Sequence, residues 1–513
     1  MCARINNRII CCSHQLLVID LTTRVLEDRA LSVPIFDGSD NNGRGRYLSK
    51  PEIIKNSLLA RIFEPEELQP LLLVKIDSKN PDANHLKART FKDGIRRKLA
   101  FSSGKNYCFA DDSLRTKINR LFATEPDTTC RYGSLLVSNY HKSADKFTNL
   151  RIKIVDFKDP QYADDKTDYC HGKISPQLAK QLGGERNCPL EFRFAWMKCW
   201  AEADNSQSPK TSFLAKGTFL PDAKLTDAQS YDIIIMDISS VKGIKKSHLK
   251  DLIPCGEYEF PQAVIGNQGN TKATSYDNRW QFTIWYSEAA LKEDFSQPTL
   301  EKAQALAELQ RNPLALPKYI VQQYDKQQAQ QEQSEEALNE IEGDIKQQAQ
   351  KSRWISLLRS DKYGQLVETP RFRNFATDYV AHQWRDLAIK SGYSHSSGMA
   401  MPCDAYGGRS HRLPRGTVCV PDLLVGDVIL TRYPIVDSDS IRLYRNVHDP
   451  EFKKTRNVVW IHPEDAEEYH QADFDGDQLM VNPASKLPNI AKETLRAGEP
   501  GRFEPVKQPP KVP

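Results

Sequence analysis

The chain has no run of about 18 apolar residues, the length that a bilayer-spanning helix needs, so no membrane span is expected. Met1-Cys2-Ala3-Arg4 lacks the apolar core of a signal peptide, and Ile9 to Cys12 is too short to supply one; a cytoplasmic location is expected. None of the 11 cysteines belongs to a Cys-x-x-Cys pair, which argues against a zinc ribbon and against a disulfide framework. The nearest approach to a metal cluster, Cys170-His171 with Cys188 and Cys199, is irregularly spaced and reads as buried or incidental thiols. Charge of one sign is also scarce: 71 Lys+Arg stand against 67 Asp+Glu, a net of +4. Any nucleic-acid binding must therefore come from local patches.

What is present suits a soluble globular chain. With 513 residues, 39% of them hydrophobic and 27% charged, there is material for two to four domains with real cores. The most informative stretch is Tyr469 to Val481, where Asp473, Asp475 and Asp477 fall within five residues. On an extended segment, residues two apart share a side, so the three carboxylates are expected to converge, with Gly476 allowing a tight turn between them. Such a trianionic, all-oxygen pocket repels itself unless a hard cation such as Mg2+ occupies it, which suggests phosphoryl or nucleotidyl transfer. An EF-hand loop counted from Asp473 would need Gly at its sixth position and Glu at its twelfth. Gln478 and Ala484 stand there instead. A solvated acidic turn is the bland alternative, but Leu479-Met480-Val481 runs straight on as an apolar strand, which puts the acids at the mouth of a core element.

The run Ala-Asp-Phe-Asp-Gly-Asp-Gln, Ala472 to Gln478, resembles residue for residue the metal-binding signature in the largest subunit of multisubunit RNA polymerases. Upstream, Gly426-Asp427-Val428-Ile429-Leu430-Thr431-Arg432-Tyr433-Pro434 resembles the segment that precedes the metal motif in two-barrel polymerases. The resemblance implies that Arg432 faces the ribose of the incoming nucleotide, and its five donors suit vicinal hydroxyls. Strand signals at Arg415 to Pro421, Gly426 to Pro434 and Val458 to Ile461, closed by Gly and Pro turns, suit a small barrel.

A second barrel is expected earlier in the chain. Leu135 to Val137, Leu150 to Val155, Phe192 to Trp196, Ala215 to Phe219 and Asp232 to Gly243 read as strands, and Ser175-Pro176 reads as a helix start. The order of a Gly-x-Ile-Ser helix start, an Arg-bearing strand, a Lys-Gly pair and a later strand ending in lysine resembles the first catalytic barrel of the eukaryotic-type RNA-dependent RNA polymerases of RNA silencing. Carried over by position, Lys216 and Lys242 match the two lysines of that barrel. Read alone they would be ordinary surface lysines. Read with the motif they would neutralise the charge that phosphoryl transfer builds on phosphate oxygens.

Elsewhere the signals are coarser. Leu16 to Leu21 and Leu71 to Ile76 read as strands, and Ile53 to Phe63 as a short helix. Residues 296 to 355 carry helical spacing at Leu306, Leu309, Leu338, Ile341 and Ile345, with a break marked by Pro313 and Pro317. Arg371, Phe372, Arg373, Phe375, Trp384 and Arg385 fit either a nucleic-acid track or a core-facing amphipathic helix.

The expected fold is α+β: two double-psi β-barrels joined by a long helical connector, with an N-terminal α/β domain. The expected division is an accessory domain over 1–130, the first barrel over 131–295, the connector over 296–355, basic linker helices over 356–400, the second barrel over 401–485 and a C-terminal linker over 486–513. The expected activity is template-directed RNA synthesis from nucleoside triphosphates, DNA-templated because the single-chain relatives in bacteria and phages are of that kind, with an RNA-templated enzyme as the alternative. Asp473, Asp475 and Asp477 would hold Mg2+, for which Mn2+ can substitute; template, nascent RNA and nucleoside triphosphates would be the partners. A metal-dependent nuclease or phosphohydrolase, and a non-catalytic nucleic-acid-binding scaffold, are the rivals. Only about thirty residues follow the acidic stretch and its strand, so one further expectation is a split or truncated enzyme whose bridge helix and mobile hairpin come from a second polypeptide.

Overall fold

The structure is a computed structural model. It describes the chain outside residues 12–18, 21–29, 38–45, 76–90, 122–131, 138–144, 158–169, 202–207, 226–233, 271–283, 333–352, 391–395, 404–412 and 502–513, and outside a few single or paired positions. The chain divides into two compact units, Met1–Thr271 with Asp473–Gly476, and Lys272–Ala472 with Asp477–Pro513.

The first unit opens with a six-stranded sheet in the order Arg46–Tyr47, Ile35–Asp37, Leu72–Lys75, Asn106–Ala110, Arg96–Ser103 and Phe91–Lys92. Leu58–Ile62 and Asp112–Arg120 are helices whose apolar residues, Leu58, Leu59, Ile62, Leu114 and Ile118, share one core with Leu73, Phe101 and Cys108 of the sheet. Ala195, Leu214 and Val264 of the barrel that follows enter the same core.

That barrel has strands β1 (Asp145–Val155), β2 (His171–Ile174), β3 (Leu190–Trp196), β4 (Phe213–Pro221), β5 (Ile234–Asp237) and β6 (Gly256–Asn270). Hydrogen bonding runs β1-β5-β2-β4-β3-β6 and returns to β1, which closes the ring. Period-two alternation fills it: Leu150, Ile152 and Ile154 of β1 point to the core while Arg151 is exposed, and Phe192, Phe194 and Trp196 of β3 meet Phe213, Ala215 and Phe219 of β4. The pairing of β1 with β6 skips Asn149, which has φ 55°, and Pro261, which has no N–H to give to the ladder.

The second unit carries β7 (Ser396–Pro402), β8 (Thr417–Cys419), β9 (Gly426–Arg432), β10 (Arg442–Asn446), β11 (Val458–Ile461) and β12 (Gln478–Pro483), closed in the order β7-β11-β8-β10-β9-β12. Every neighbour relation of the first ring recurs. The first and fifth strands pair parallel in both, as do the second and fourth, and the other four pairings are antiparallel in both. Two mixed six-stranded barrels of one topology bear out the expected α+β, double-barrel class.

Between the sequences of the two barrels lie the helices Gln297–Arg311, Leu316–Glu332 and Pro370–Lys390. Leu306, Leu309, Leu316, Ile320, Phe372 and Val380 form their core, and Trp354 stacks on Phe375 at 4.7 Å. Phe372 and Val380 are buried while Arg371, Arg373 and Arg385 are exposed, so the rings of this segment serve the core. Pro313 sits in the break between the first two helices, whereas Pro317 lies inside the first turn of the second, where a proline is tolerated. Leu338, Ile341 and Ile345 lie outside the described residues.

Several local expectations are corrected. The helix expected from Ile53 is a strand, Glu52–Lys55, followed by the helix Leu58–Ile62, whose cap Ser57 accepts from the Ala60 N–H. Leu135-Leu136-Val137 lies in a short helix, Ser134–Val137, because three apolar residues in a row fit either state. The strand expected over Asp232 to Gly243 is β5, a 3-10 turn at Ile238–Ser240 and a two-residue strand, Val241–Lys242. Among the described residues no helix is long and apolar enough to cross a membrane.

Candidate active site

The acidic stretch begins where a helix ends. Pro463–His470 starts with Pro463 in its first turn and His462 as its cap. It stops at Gln471, in the left-handed region at φ 50°, and the Ala472 N–H reaches back to the Ala466 carbonyl at 3.0 Å in a Schellman-type closure. Phe474 (φ 57°) and Gly476 (φ 122°) then turn the chain twice more before β12 begins at Gln478. The segment is therefore a tight loop and not the extended run expected from the alternation of the acids. Convergence holds for a different reason: the turns bring carboxylate oxygens of Asp473, Asp475 and Asp477 within 4.8 Å of one another. Phe474 is fully buried between the exposed Asp473 and the buried Asp475, so it pins the loop.

Strand register explains how the two lysines meet Asp475. Lys216 stands on the face of β4 opposite to Phe213, Ala215 and Phe219. The short strand Val241–Lys242 pairs antiparallel with β4, placing Lys242 opposite Leu214. Leu214 and Lys216 share a face, so the lysines are diagonal neighbours on it. Lys216 Nζ donates to Asp475 Oδ1 at 2.7 Å and Lys242 Nζ lies 3.8 Å from Asp475 Oδ2. Burial disfavours the charge on Asp475, but Lys216 and Lys242 outweigh it and hold the carboxyl below its ordinary range. Burial likewise opposes charge on Lys242, and its neighbours Cys170 and Asp475 overcome this and raise its pKa.

The same rule places Arg432. It pairs with Leu479 across β9 and β12, which makes Asp477 its diagonal neighbour. Arg432 Nη2 donates to Asp477 Oδ1 at 2.8 Å and Nη1 to the Gln471 carbonyl at 2.9 Å, tying the two ends of the loop together. The Ala400 N–H holds the Asp477 carbonyl at 2.9 Å.

Lys216 and Lys242 thus meet Asp475 within the first unit, and Arg432 meets Asp477 within the second. Two others stand close by: Glu191, which the sequence does not single out, and Cys170, which it reads as a buried or incidental thiol. Glu191, held by buried Arg193 at 2.6 Å, lies where a side chain on Gly476 would go. Cys170 places its sulfur 3.1 Å from Lys242 Nζ. Arg193 pairs directly with Lys216, and strand alternation puts the two on one face, but no local pattern marks Glu191 or Cys170. Cys188 is buried and Cys199 exposed, and neither joins a metal-type cluster with Cys170 among the described residues.

No protein-family model and no curated protein matches this chain. Among solved structures it is similar to the RNA-dependent RNA polymerase QDE-1 from Thielavia terrestris, with a TM-score of 0.56 and 14% identity over 95% of this chain. The chain spans 56% of the length of that structure. At that identity the likeness shows the fold alone, and the two closed barrels of one topology fit a double-psi β-barrel architecture.

Proposed function

We propose that this chain carries the nucleotidyl-transfer centre of an RNA polymerase that extends RNA on an RNA template. The observation that carries the reading is the grip of Lys216 and Lys242 on Asp475, within a cluster of three carboxylates. An all-oxygen donor set of three acids fits a hard divalent cation and suits no soft one. Asp473, Asp475 and Asp477 would hold Mg2+, which when bound lowers the pKa of the attacking hydroxyl and offsets charge on the phosphate.

The chain's own residues supply the rest. Lys216 and Lys242 offset negative charge on the triphosphate and the RNA end, as compact cations fixed in place before the reaction. Arg432 keeps Asp477 in position and offers its remaining donors to ribose hydroxyls. The DNA-templated reading expected from the sequence has less support than its RNA-templated alternative, because a similar solved structure is an RNA-dependent enzyme. No observation supports the second polypeptide expected from the short C-terminal stretch.

The test is extension of a labelled RNA primer by the full chain on RNA and on DNA templates, each with Mg2+ and with Mn2+. Incorporation on RNA templates is expected, abolished by Asp475→Ala and slowed about 100-fold by Lys216→Ala or Lys242→Ala. Release of nucleotides with no triphosphate requirement would replace this reading with a nuclease. Unchanged nucleic-acid binding without incorporation by either Asp475→Ala or the wild type would replace it with a scaffold.

A further inference from the structure

We propose that Cys170 is a positioning residue that holds the ammonium of Lys242 on Asp475. Three groups surround Lys242 Nζ: Cys170 Sγ at 3.1 Å, the Ser239 carbonyl at 3.5 Å and Asp475 Oδ2 at 3.8 Å. The carboxylate is the most distant of the three. A lysine stem has four rotatable bonds, so the sulfur and the carbonyl fix where the charge sits.

Cys170 is itself fixed from both sides. Its thiol donates to the Ser239 carbonyl at 3.3 Å, which leaves the sulfur lone pairs to accept from Lys242. Its N–H donates to Ser239 Oγ at 2.8 Å, and the Ser239 N–H is held by Asp237 Oδ1 at 2.8 Å. On the other side the Cys170 carbonyl accepts from the Thr218 N–H at 3.1 Å. A Cβ on Gly217 would lie 2.1 Å from that carbonyl oxygen, so the backbone of Cys170 presses directly on the residue that follows Lys216. One residue thus sets the strand of the first lysine and the head group of the second.

The backbone makes this placement notable. Cys170 has φ 41°, in the left-handed region that favours glycine, and the residue is buried at 2% exposure. Glycine would relieve the backbone and delete the thiol, so the two roles of the residue can be pulled apart by one substitution. A merely structural cysteine predicts that any loss of rate in Cys170→Gly is matched by a fall in melting temperature.

The rate arm of the test rests on the polymerase reading, and a second arm does not. In steady-state extension, Cys170→Gly is expected to lower kcat about tenfold with little change in KM while melting no lower than the wild type, and Cys170→Ser, which restores an acceptor, stays within about threefold. In the absence of nucleotides, acylation of Lys242 by an amine-reactive ester, followed by mass spectrometry of the intact chain's digest, should run several-fold faster in Cys170→Gly than in the wild type or Cys170→Ser. If the wild type incorporates no nucleotide, the polymerase reading fails and the labelling alone decides. Wild-type labelling of Lys242 in Cys170→Gly overturns the proposal, as does a wild-type rate in that variant, or a rate loss matched by a fall in melting temperature.

Discussion

Gly476 is constrained twice, by φ 122° and by Glu191, whose Cδ and Oε1 would lie 2.7 and 2.8 Å from a Cβ there. The carboxylate cannot swing away freely because buried Arg193 holds it. Gly476→Ala should therefore cost about 1–3 kcal/mol of stability, read as a shift in the urea midpoint. Adding Glu191→Ala should recover the steric share and leave the backbone share; full recovery, or none, would refute this division. Asp237 offers a pH test. Burial pushes its carboxyl up to about 6, against the hydrogen bonds it accepts from the Phe157 and Ser239 N–H groups. A folded pKa above the unfolded value of about 3.8 means that its contribution is fully present below that pH and is lost as pH rises through about 6. Relative to the wild type, Asp237→Asn should gain stability between pH 4 and pH 7, by about 2–3 kcal/mol; a difference independent of pH would count against it. Residues of this kind show what the sequence could reveal. The three acids and Arg432 stand in contiguous runs, and the lysines in an ordered motif, so all were legible. Glu191 and Cys170 act through partners that are near only in space, and no window along the chain marks them.

Among the elements, a local end signal makes the helix at Ser175-Pro176 legible. Ser175 caps the helix Pro176–Gln181 by accepting from the Leu178 N–H at 3.2 Å, with Pro176 in its first turn, as the Ser-Pro pair predicts. The helix Pro488–Glu493 shows the converse. Its N-terminal donors are met by buried Asp294, which accepts from the Asn489 N–H at 3.0 Å and the Ile490 N–H at 2.8 Å across 195 and 196 residues of sequence. A cap borrowed from so far away leaves no local trace. Asp294→Ala should cost about 2 kcal/mol, near the upper end for capping because the site is buried, and hydrogen exchange should quicken first at Asn489 and Ile490. Equal protection in the variant would show that the carboxylate is not the cap. β7 and β10 were not read as strands at all: Ser396–Pro402 is rich in small residues, and Arg442–Asn446 carries two arginines and an asparagine in five positions. Arg442 and Asn446 are nonetheless buried, satisfied by backbone carbonyls such as Glu499 and Val420. Tertiary partners there override composition.

For the whole molecule, the repeated ring order is the feature that single-strand reading cannot deliver, because it needs all six strands of each barrel. The connection between the fifth and sixth strands carries Lys242 in one barrel and the three aspartates in the other. Mn2+ in large excess over its dissociation constant should raise the melting temperature of the chain, by about 2.7 kcal/mol of stability at 100 times Kd, and Asp475→Ala should remove most of that gain. An equal shift in both proteins would place the ion elsewhere. The separation of Lys216 from Asp475, 259 residues, also orders events in time. At about 5–20 residues per second on the ribosome, Lys216 is made roughly 10–50 s before its carboxylate partner. A nascent chain with its first barrel already closed would carry both lysines with no Asp475 to balance them, so for that interval the charge on Lys216 and Lys242 lacks its carboxylate partner.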